Sequence, residues 1–200
     1  MNTYLLIGDS QAEGLLPYIH ERMHARGFTM VGAATHVGWK TARFVSEQAA
    51  VALSRVNPDV VLVVLGGNDI ATTASARAVL AEDIRQFLAQ IRSSSSPHII
   101  WIGPAHSTDP NTSRRHEAVA DVQSSMLPAL GVEWHDGGPM TEDLGHAADG
   151  VHFPRTSLIR WADRINQALF TNEHSTRWVG AVSLLAAAAG IAGIAWLYFR

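Results

Sequence analysis

The sequence contains no cysteine, which excludes a disulfide framework and leaves the redox compartment open. It also lacks a basic run, because its 15 Lys and Arg residues are scattered and the formal net charge is -3. Nucleic acid is therefore not expected as a partner. The 200 residues suffice for one α/β domain with a buried core and a short addition.

No apolar run long enough to cross a membrane occurs before residue 178. Residues 1–3 carry no basic group and the apolar stretch at 4–7 is too short, so no signal peptide is expected. Residues 178–199, by contrast, form a run of 22 without any charge. As a helix this run would measure about 33 Å, enough to cross a hydrocarbon core of about 30 Å.

The predicted transmembrane helix gives the chain three parts: a globular domain at 1–170, a polar linker at 171–177 and a C-terminal tail anchor at 178–199. Aromatic residues at both ends of the anchor, Trp178 and Trp196 among them, are typical of membrane interfaces. The expected location is a membrane, with the globular domain cytoplasmic by default. Small residues four apart would allow two such helices to self-associate. A buried alanine-rich helix is the competing interpretation.

Strands and helices alternate along the globular part. Continuous apolar runs predict strands, and apolar residues at helical spacing predict helices. The strands are expected at 3–7, 28–31, 60–65, 98–102 and 132–134, and the helices at 12–26, 41–56, 75–92, 114–127 and 155–170. This alternation predicts an α/β fold with a parallel sheet between two layers of helices. In such sheets ligands bind beyond the carboxyl ends of the strands.

Four short blocks stand at or near those strand ends. GDS at 8–10 follows the first strand, and Gly38 follows the second. GGND at 66–69 follows the third strand, and DGVH at 149–152 precedes the last helix. Each block alone could be an ordinary turn. All four together predict a site for chemistry at one edge of the sheet.

The residue types in these blocks are those of nucleophilic acyl transfer. Ser10 is a weak nucleophile unless a base takes its proton, and His152 can be that base. Asp149, three residues earlier, can orient the imidazole and stabilise its charged form. The oxyanion needs donors, which the Asn68 side chain and the backbone N–H groups of Gly38 and Ser10 can supply.

This pattern resembles the SGNH hydrolase superfamily, the GDSL-type esterases and lipases, over about the first 170 residues. The resemblance implies that Ser10 is the nucleophile and that Gly38 and Asn68 help form the oxyanion hole. It assigns Asp149 and His152 as orienting acid and base. It also implies a three-layer α/β/α, flavodoxin-like fold with about five parallel strands. Neither a cofactor nor a metal is expected.

Two positions depart from the family pattern. Gln11 stands where the GDSL name has leucine, and Gly32 is an alternative to Gly38 as the second-block glycine. Asp9 and Asp69 are expected to have structural roles within their loops.

Two other interpretations fit the sequence less well. The α/β-hydrolase G-x-S-x-G motif fails because Ala12 takes the place of the last glycine. A metal site would draw on histidines and acids around the fourth block: His135, Asp136, His146, Asp149 and His152. It leaves Ser10 and Asn68 unexplained. Six other histidines are expected at surface or partly buried positions: His20, His24, His98, His106, His116 and His174. Of these, His106 is a candidate substrate contact.

The predicted function is that of a membrane-anchored serine esterase cleaving an acyl ester, an acetyl ester among the candidates. Its substrate would be an acylated small molecule, lipid or glycan, and the blocks do not separate these classes. The alternative is a catalytically silent protein of the same fold within a membrane-associated assembly. Retention of all four blocks favours the enzyme.

Overall fold

The computed structural model describes residues 2–49, 55–93 and 95–171. The chain divides into two compact units, residues 1–164 and 165–200, and the second is described only at 165–171, the end of the last helix. None of the helices in the described ranges has the length and apolarity needed to cross a bilayer. The predicted anchor at 178–199 and the linker from residue 172 onward lie outside these ranges.

Five strands alternate with helices in the order that the sequence predicts. The strands are β1 (Asn2–Gly8), β2 (Phe28–Thr35), β3 (Val60–Val64), β4 (His98–Ile102) and β5 (Glu133–His135). The helices are α1 (Ser10–Ala25), α2 (Thr41–Ser46), α3 (Ala74–Ile91), α4 (Pro110–Met126), α5 (Gly137–Thr141) and α6 (Arg155–Thr171). A 3-10 turn, Pro128–Leu130, leads into β5.

The strands form one parallel sheet in the order β2-β1-β3-β4-β5. The chain order reverses between β1 and β3, which is where ligands bind in open parallel sheets. Gly8 at the end of β1 lies opposite both Thr35 of β2 and Val64 of β3. The loops that follow these three strands therefore start at the same level of the sheet.

Helices cover both faces of the sheet. On one face, α2, α3 and α4 share a core cluster with Ile7, Val63 and Trp101 of the sheet. On the other, α1 packs on β1 and β2, and its Arg22 forms a 2.9 Å bond to Asp163 of α6. All five residues of β3 are buried, as expected for a central strand covered on both faces. The predicted three-layer α/β architecture with five parallel strands is confirmed.

The predicted single helix at 41–56 is wrong. Helix α2 ends at Ser46, and Gln48 has φ 50, a left-handed conformation that interrupts helical geometry. Residues 50–54 lie outside the described ranges.

The fourth predicted helix begins four residues too late. Helix α4 starts at Pro110 because the Asp109 side chain accepts a 2.8 Å hydrogen bond from the backbone N–H of Thr112. An aspartate at the N-cap followed by proline at the first helical position is a recognisable start signal. The short helix α5 was likewise missed, although Asp136 caps it through the N–H of Gly138.

Candidate active site

Ser10 is the first residue of α1, immediately beyond the end of β1. Asp9 is the N-cap, and its Oδ1 accepts a 3.0 Å bond from the N–H of Gln11. The first N–H groups of a helix lack intrahelical partners and lie at the positive end of its dipole. The sharp strand-to-helix turn therefore presents the Ser10 hydroxyl beside backbone donors.

The structure brings Ser10, His152 and Asp149 into one hydrogen-bonded chain. The Ser10 Oγ lies 3.0 Å from the Nε2 of His152, and the Nδ1 of His152 lies 2.6 Å from the Oδ2 of Asp149. The bond from the imidazole lowers the pKa of the Asp149 carboxyl well below its usual value, and the backbone N–H groups of His152 and Val151 contribute further. With Nδ1–H donated to a carboxylate, Nε2 is left to accept the serine proton.

Contacts from two distant segments hold the loop that carries His152. Gln11 Nε2 donates a 2.9 Å bond to the carbonyl of Val151. On the other side, Ser107 Oγ and the Thr108 N–H donate to the carbonyl of Gly150 at 2.8 and 2.9 Å. Gln11, which stands where the GDSL pattern has leucine, thus connects helix α1, which carries Ser10, to the loop that carries His152.

Asn68 and Gly38 come from the loops after β3 and β2. The Asn68 side-chain amide donates a 3.2 Å bond to the carbonyl of Trp39, which joins these two loops and leaves its second N–H for another acceptor. Gly38 has φ 73, a conformation that favours glycine. Gly32, the alternative to Gly38 as the second-block glycine, lies inside β2, where it pairs with Leu5 of β1.

A cavity of about 260 Å³ opens at this edge of the sheet. The sequence-predicted residues Ser10, Gly38, Asn68 and His152 all line it. The remaining lining residues are Asp9, Gln11, Val37, Gly67, Arg115 and Val151. His152 and Asp149 are about half exposed, so the cavity is open to water and to a ligand.

Two buried carboxyls support the loops behind the cavity. Asp69 accepts bonds from the N–H and the hydroxyl of Thr41, at 2.9 and 2.6 Å, which ties the GGND loop to the start of α2. Burial raises the pKa of Asp69 against the lowering effect of these bonds. Burial also raises the pKa of Asp9 to about 6, the Gln11 N–H opposes this rise, and the Asp69 carboxylate adds to it.

His116 of α4 is buried, contrary to the expectation of a surface or partly buried residue. Its Nδ1 lies 2.7 Å from the carbonyl of Ala105 and its Nε2 lies 3.0 Å from the carbonyl of Gly67. Burial lowers the pKa of the imidazole. A neutral ring donates to only one of these carbonyls. This contact links α4 to the residue that precedes Asn68, and no local sequence signal indicates it.

His106 does not line the Ser10 cavity. It borders a separate cavity of about 280 Å³ along α4 and α5, and its ring lies 5.6 Å from that of His146.

The histidines and acids of the metal interpretation have protein partners. His146 Nε2 lies 3.0 Å from the carbonyl of His106, and His135 Nε2 lies 2.8 Å from Glu133. Within residues 2–49, 55–93 and 95–171, no group of three or more His, Cys, Asp or Glu side chains is placed to hold a metal ion.

Comparison with known proteins identifies the family. A profile of the GDSL-like lipase/acylhydrolase family matches residues 6–156. No curated relative matches the sequence.

Solved structures with the same fold include a lipase/acylhydrolase from Enterococcus faecalis, 20% identical with a TM-score of 0.67 over 84% of this chain and 95% of that one. A carbohydrate esterase family 3 structure from Talaromyces cellulolyticus is 18% identical, with a TM-score of 0.70 over 86% and 97%. An acetylxylan esterase from Geobacillus stearothermophilus is 15% identical, with a TM-score of 0.68 over 84% and 94%. At these identities the similarity shows the fold, and the profile match shows the family. The chain therefore belongs to the GDSL-like lipase/acylhydrolase family of the SGNH hydrolase superfamily and is a serine hydrolase of carboxylic esters.

Proposed function

We propose that the protein hydrolyses an acyl ester with Ser10 as nucleophile, His152 as general base and acid, and Asp149 as orienting carboxylate. The observation that carries this proposal is the pair of bonds from Ser10 Oγ to His152 and from His152 to Asp149, at 3.0 and 2.6 Å. A nucleophile, a base and an orienting group within hydrogen-bond reach are what serine catalysis requires.

In the acylation step, Ser10 Oγ attacks the ester carbonyl while its proton passes to Nε2 of His152. Asp149 stabilises the imidazolium that forms. The tetrahedral intermediate then collapses, and Nε2 returns the proton to the departing alcohol. In the second step a water gives a proton to His152 and attacks the acyl group, which releases the acid and restores the Ser10 hydroxyl.

The oxyanion formed in both steps is stabilised by donors that line the same cavity. These donors are the second N–H of the Asn68 amide and the backbone N–H groups of Ser10 and Gly38. The bond from Asn68 to the Trp39 carbonyl supports this role because it fixes the amide before substrate arrives. No cofactor takes part in the proposed steps.

A short acyl group such as acetyl is compatible with the size of the cavity. The cavity of about 260 Å³ is small compared with typical ligand pockets of about 300–1,000 Å³. Two proteins of the same fold are named as a carbohydrate esterase and an acetylxylan esterase, which supports acylated glycans as one substrate class. Acylated small molecules and lipids are the others that the family suggests.

We further propose that residues 178–199 anchor the hydrolase domain in a membrane. The support comes from the uncharged run of 22 residues with aromatic ends, preceded by a polar linker at 171–177. The small residues of the run would permit self-association in the bilayer.

The catalytic proposal is tested with full-length protein in detergent and p-nitrophenyl acetate as substrate. Ser10→Ala is expected to abolish turnover, and Asn68→Ala to lower kcat by about 10²–10³-fold with an unchanged circular dichroism spectrum. Ser124→Ala, which removes an exposed hydroxyl on α4, is the matched control and should behave as wild type. Equal rates for wild type and Ser10→Ala would refute the proposal.

A further inference from the structure

Arg115 is the cationic side chain among the residues that line the Ser10 cavity. Its Nε is buried and has no hydrogen-bond partner. Among the described residues no hydrogen bond or ion pair of its guanidinium is found. Other arginines of the described residues are engaged: Arg77 with Asp121, Arg114 with Asn111, Arg160 and Arg164 with Asp143.

The acidic groups around the cavity have other partners. Asp149 is bonded to His152, and Asp9 is buried and caps α1. The charge of Arg115 contributes to lowering the pKa of Asp109, but the Asp109 carboxylate accepts its hydrogen bond from the N–H of Thr112. A partly buried charge without a partner is costly to the fold, and a guanidinium is the side chain best suited to bind carboxylates and phosphates. The arrangement leaves Arg115 available to an anion that enters with the substrate.

Arg115 and His152 line the same cavity, which relates Arg115 to the departing alcohol. In the proposed reaction His152 gives its proton to that alcohol, which therefore lies on the His152 side of the cavity. The loop of His152 is bonded through Gly150 to Ser107 and Thr108, and these residues lead directly into α4, which carries Arg115. Arg115 and His152 thus come from two segments that are bonded to each other.

We propose that Arg115 is a specificity-determining residue that binds a carboxylate or phosphate on the alcohol portion of the ester. The substrate class is then an acylated alcohol that carries a negative charge near the scissile bond. This inference rests on the proposed function, because it places the alcohol by the role of His152.

The test compares two acetyl esters of similar shape, the anionic 4-acetoxybenzoate and the neutral 4-acetoxybenzamide, with full-length protein. Wild type is expected to favour the anion by about tenfold in kcat/KM, as a charged hydrogen bond would provide. Arg115→Gln should reduce this ratio to near one, and the wild-type ratio should shrink with added salt. A third ester, 4-acetoxyphenyl phosphate, shows whether phosphate or carboxylate is preferred.

Arg114→Gln is the matched control, because Arg114 is the adjacent arginine of α4 and does not line the cavity. It should keep the wild-type ratio. A wild-type ratio of kcat/KM near one for the two esters overturns the inference. So does an unchanged ratio in Arg115→Gln, or an equal fall of the ratio in Arg114→Gln.

A binding measurement separates this inference from the proposed reaction. Calorimetric titration of Ser10→Ala with the two alcohols, 4-hydroxybenzoate and 4-hydroxybenzamide, needs no turnover. Binding about tenfold tighter for the anion, lost when Arg115→Gln is added, supports the inference even if neither ester is hydrolysed. Equal binding of the two alcohols contradicts it, whatever the esters do.

Discussion

Asp9 carries a carboxyl that is 1% exposed, directly before the proposed nucleophile. One oxygen caps α1, and the other has no hydrogen-bond partner of good geometry among the described residues. The pKa of about 6 means that the folded protein holds the Asp9 proton more tightly than the unfolded chain, whose value is 3.8. Ionised Asp9 therefore destabilises the fold at neutral pH.

Asp9→Asn is expected to stabilise the protein above pH 6. Asparagine keeps the oxygen that accepts from the Gln11 N–H and removes the buried charge. Because the folded pKa lies above the unfolded one, wild-type stability falls as the pH rises from about 4 to 6. The free energy of unfolding of the variant should exceed that of wild type by about 1 to 3 kcal/mol above this window, and the gap should close near pH 4.

Denaturant unfolding between pH 4 and 8 measures this gap. Asp109→Asn is the control, because the bonds from Thr112 lower the pKa of Asp109. Its charge stabilises the fold, so that variant should lose stability at neutral pH. If the free energies of unfolding of Asp9→Asn and wild type differed by the same amount at every pH in this range, burial would not be what raises the pKa of Asp9.

The residues of the site divide by whether their signal is local. Ser10, Asn68 and His152 could be predicted because each lies in a short block close to a strand end or the last helix. The roles of Gln11 and His116 could not be predicted, because their contacts join segments far apart in sequence. Gln11 bonds to Val151, and His116 bonds to Gly67. Such contacts depend on the packed structure and leave no periodic or turn pattern.

The junction of β1, β3 and α1 explains why a glycine precedes Asp9. A Cβ on Gly8 would overlap the carbonyl oxygen of Val64 in β3 and lie 2.6 Å from the Cβ of Ala12 in α1. Neither group can move without separating the strands or tilting the helix. The glycine thus allows the close approach that sets Ser10 at the sheet edge.

Gly8→Ala is therefore expected to destabilise the protein by about 3 kcal/mol or more, since the clash involves backbone atoms. Gly14→Ala is the matched control within α1, because its added Cβ would meet only the flexible Leu158 side chain at 3.3 Å and alanine favours helices. Thermal unfolding of the two variants should show a much larger loss for Gly8→Ala. Equal losses of thermal stability in the two variants would mean that close packing at Gly8 does not constrain the turn.

At the level of elements, strands and helices with strong sequence patterns are predicted well, and the residues at which helices begin and end are predicted poorly. The uninterrupted apolar run of β3, in which four of five residues are valine, identifies a buried central strand. The helix predicted at 41–56 failed because one residue, Gln48, adopts a left-handed conformation that nothing in its residue type demands. The start of α4 at Pro110 was predictable from capping chemistry.

The parallel sheet accounts for how residues from distant parts of the sequence meet. Ser10 follows β1 and Asn68 follows β3, and these neighbouring strands end at the same level. His152 is brought to the same place by the loop before α6, which is bonded to Gln11. The alternation of elements predicts this meeting at one edge of the sheet.

Alkaline carbonate extraction of the full-length protein from membranes tests the proposed anchor at 178–199. An uncharged helix of 22 residues should resist extraction and stay in the pellet. As a control, a variant with two of the central alanines of the run replaced by arginine should be released, since charges at the bilayer centre are costly. Release of wild type into the supernatant would rule out an integral anchor.

The central claim is that Ser10 is the activated nucleophile, and covalent labelling tests it most directly. A fluorophosphonate forms a bond from a serine oxygen to phosphorus as fluoride leaves, and it reacts only with a serine whose proton a base removes. Peptide mapping by mass spectrometry should find one adduct, on Ser10, with labelling slowed at least about 10²-fold in His152→Ala. An adduct on another residue, or undiminished labelling of Ser10→Ala, would contradict the claim.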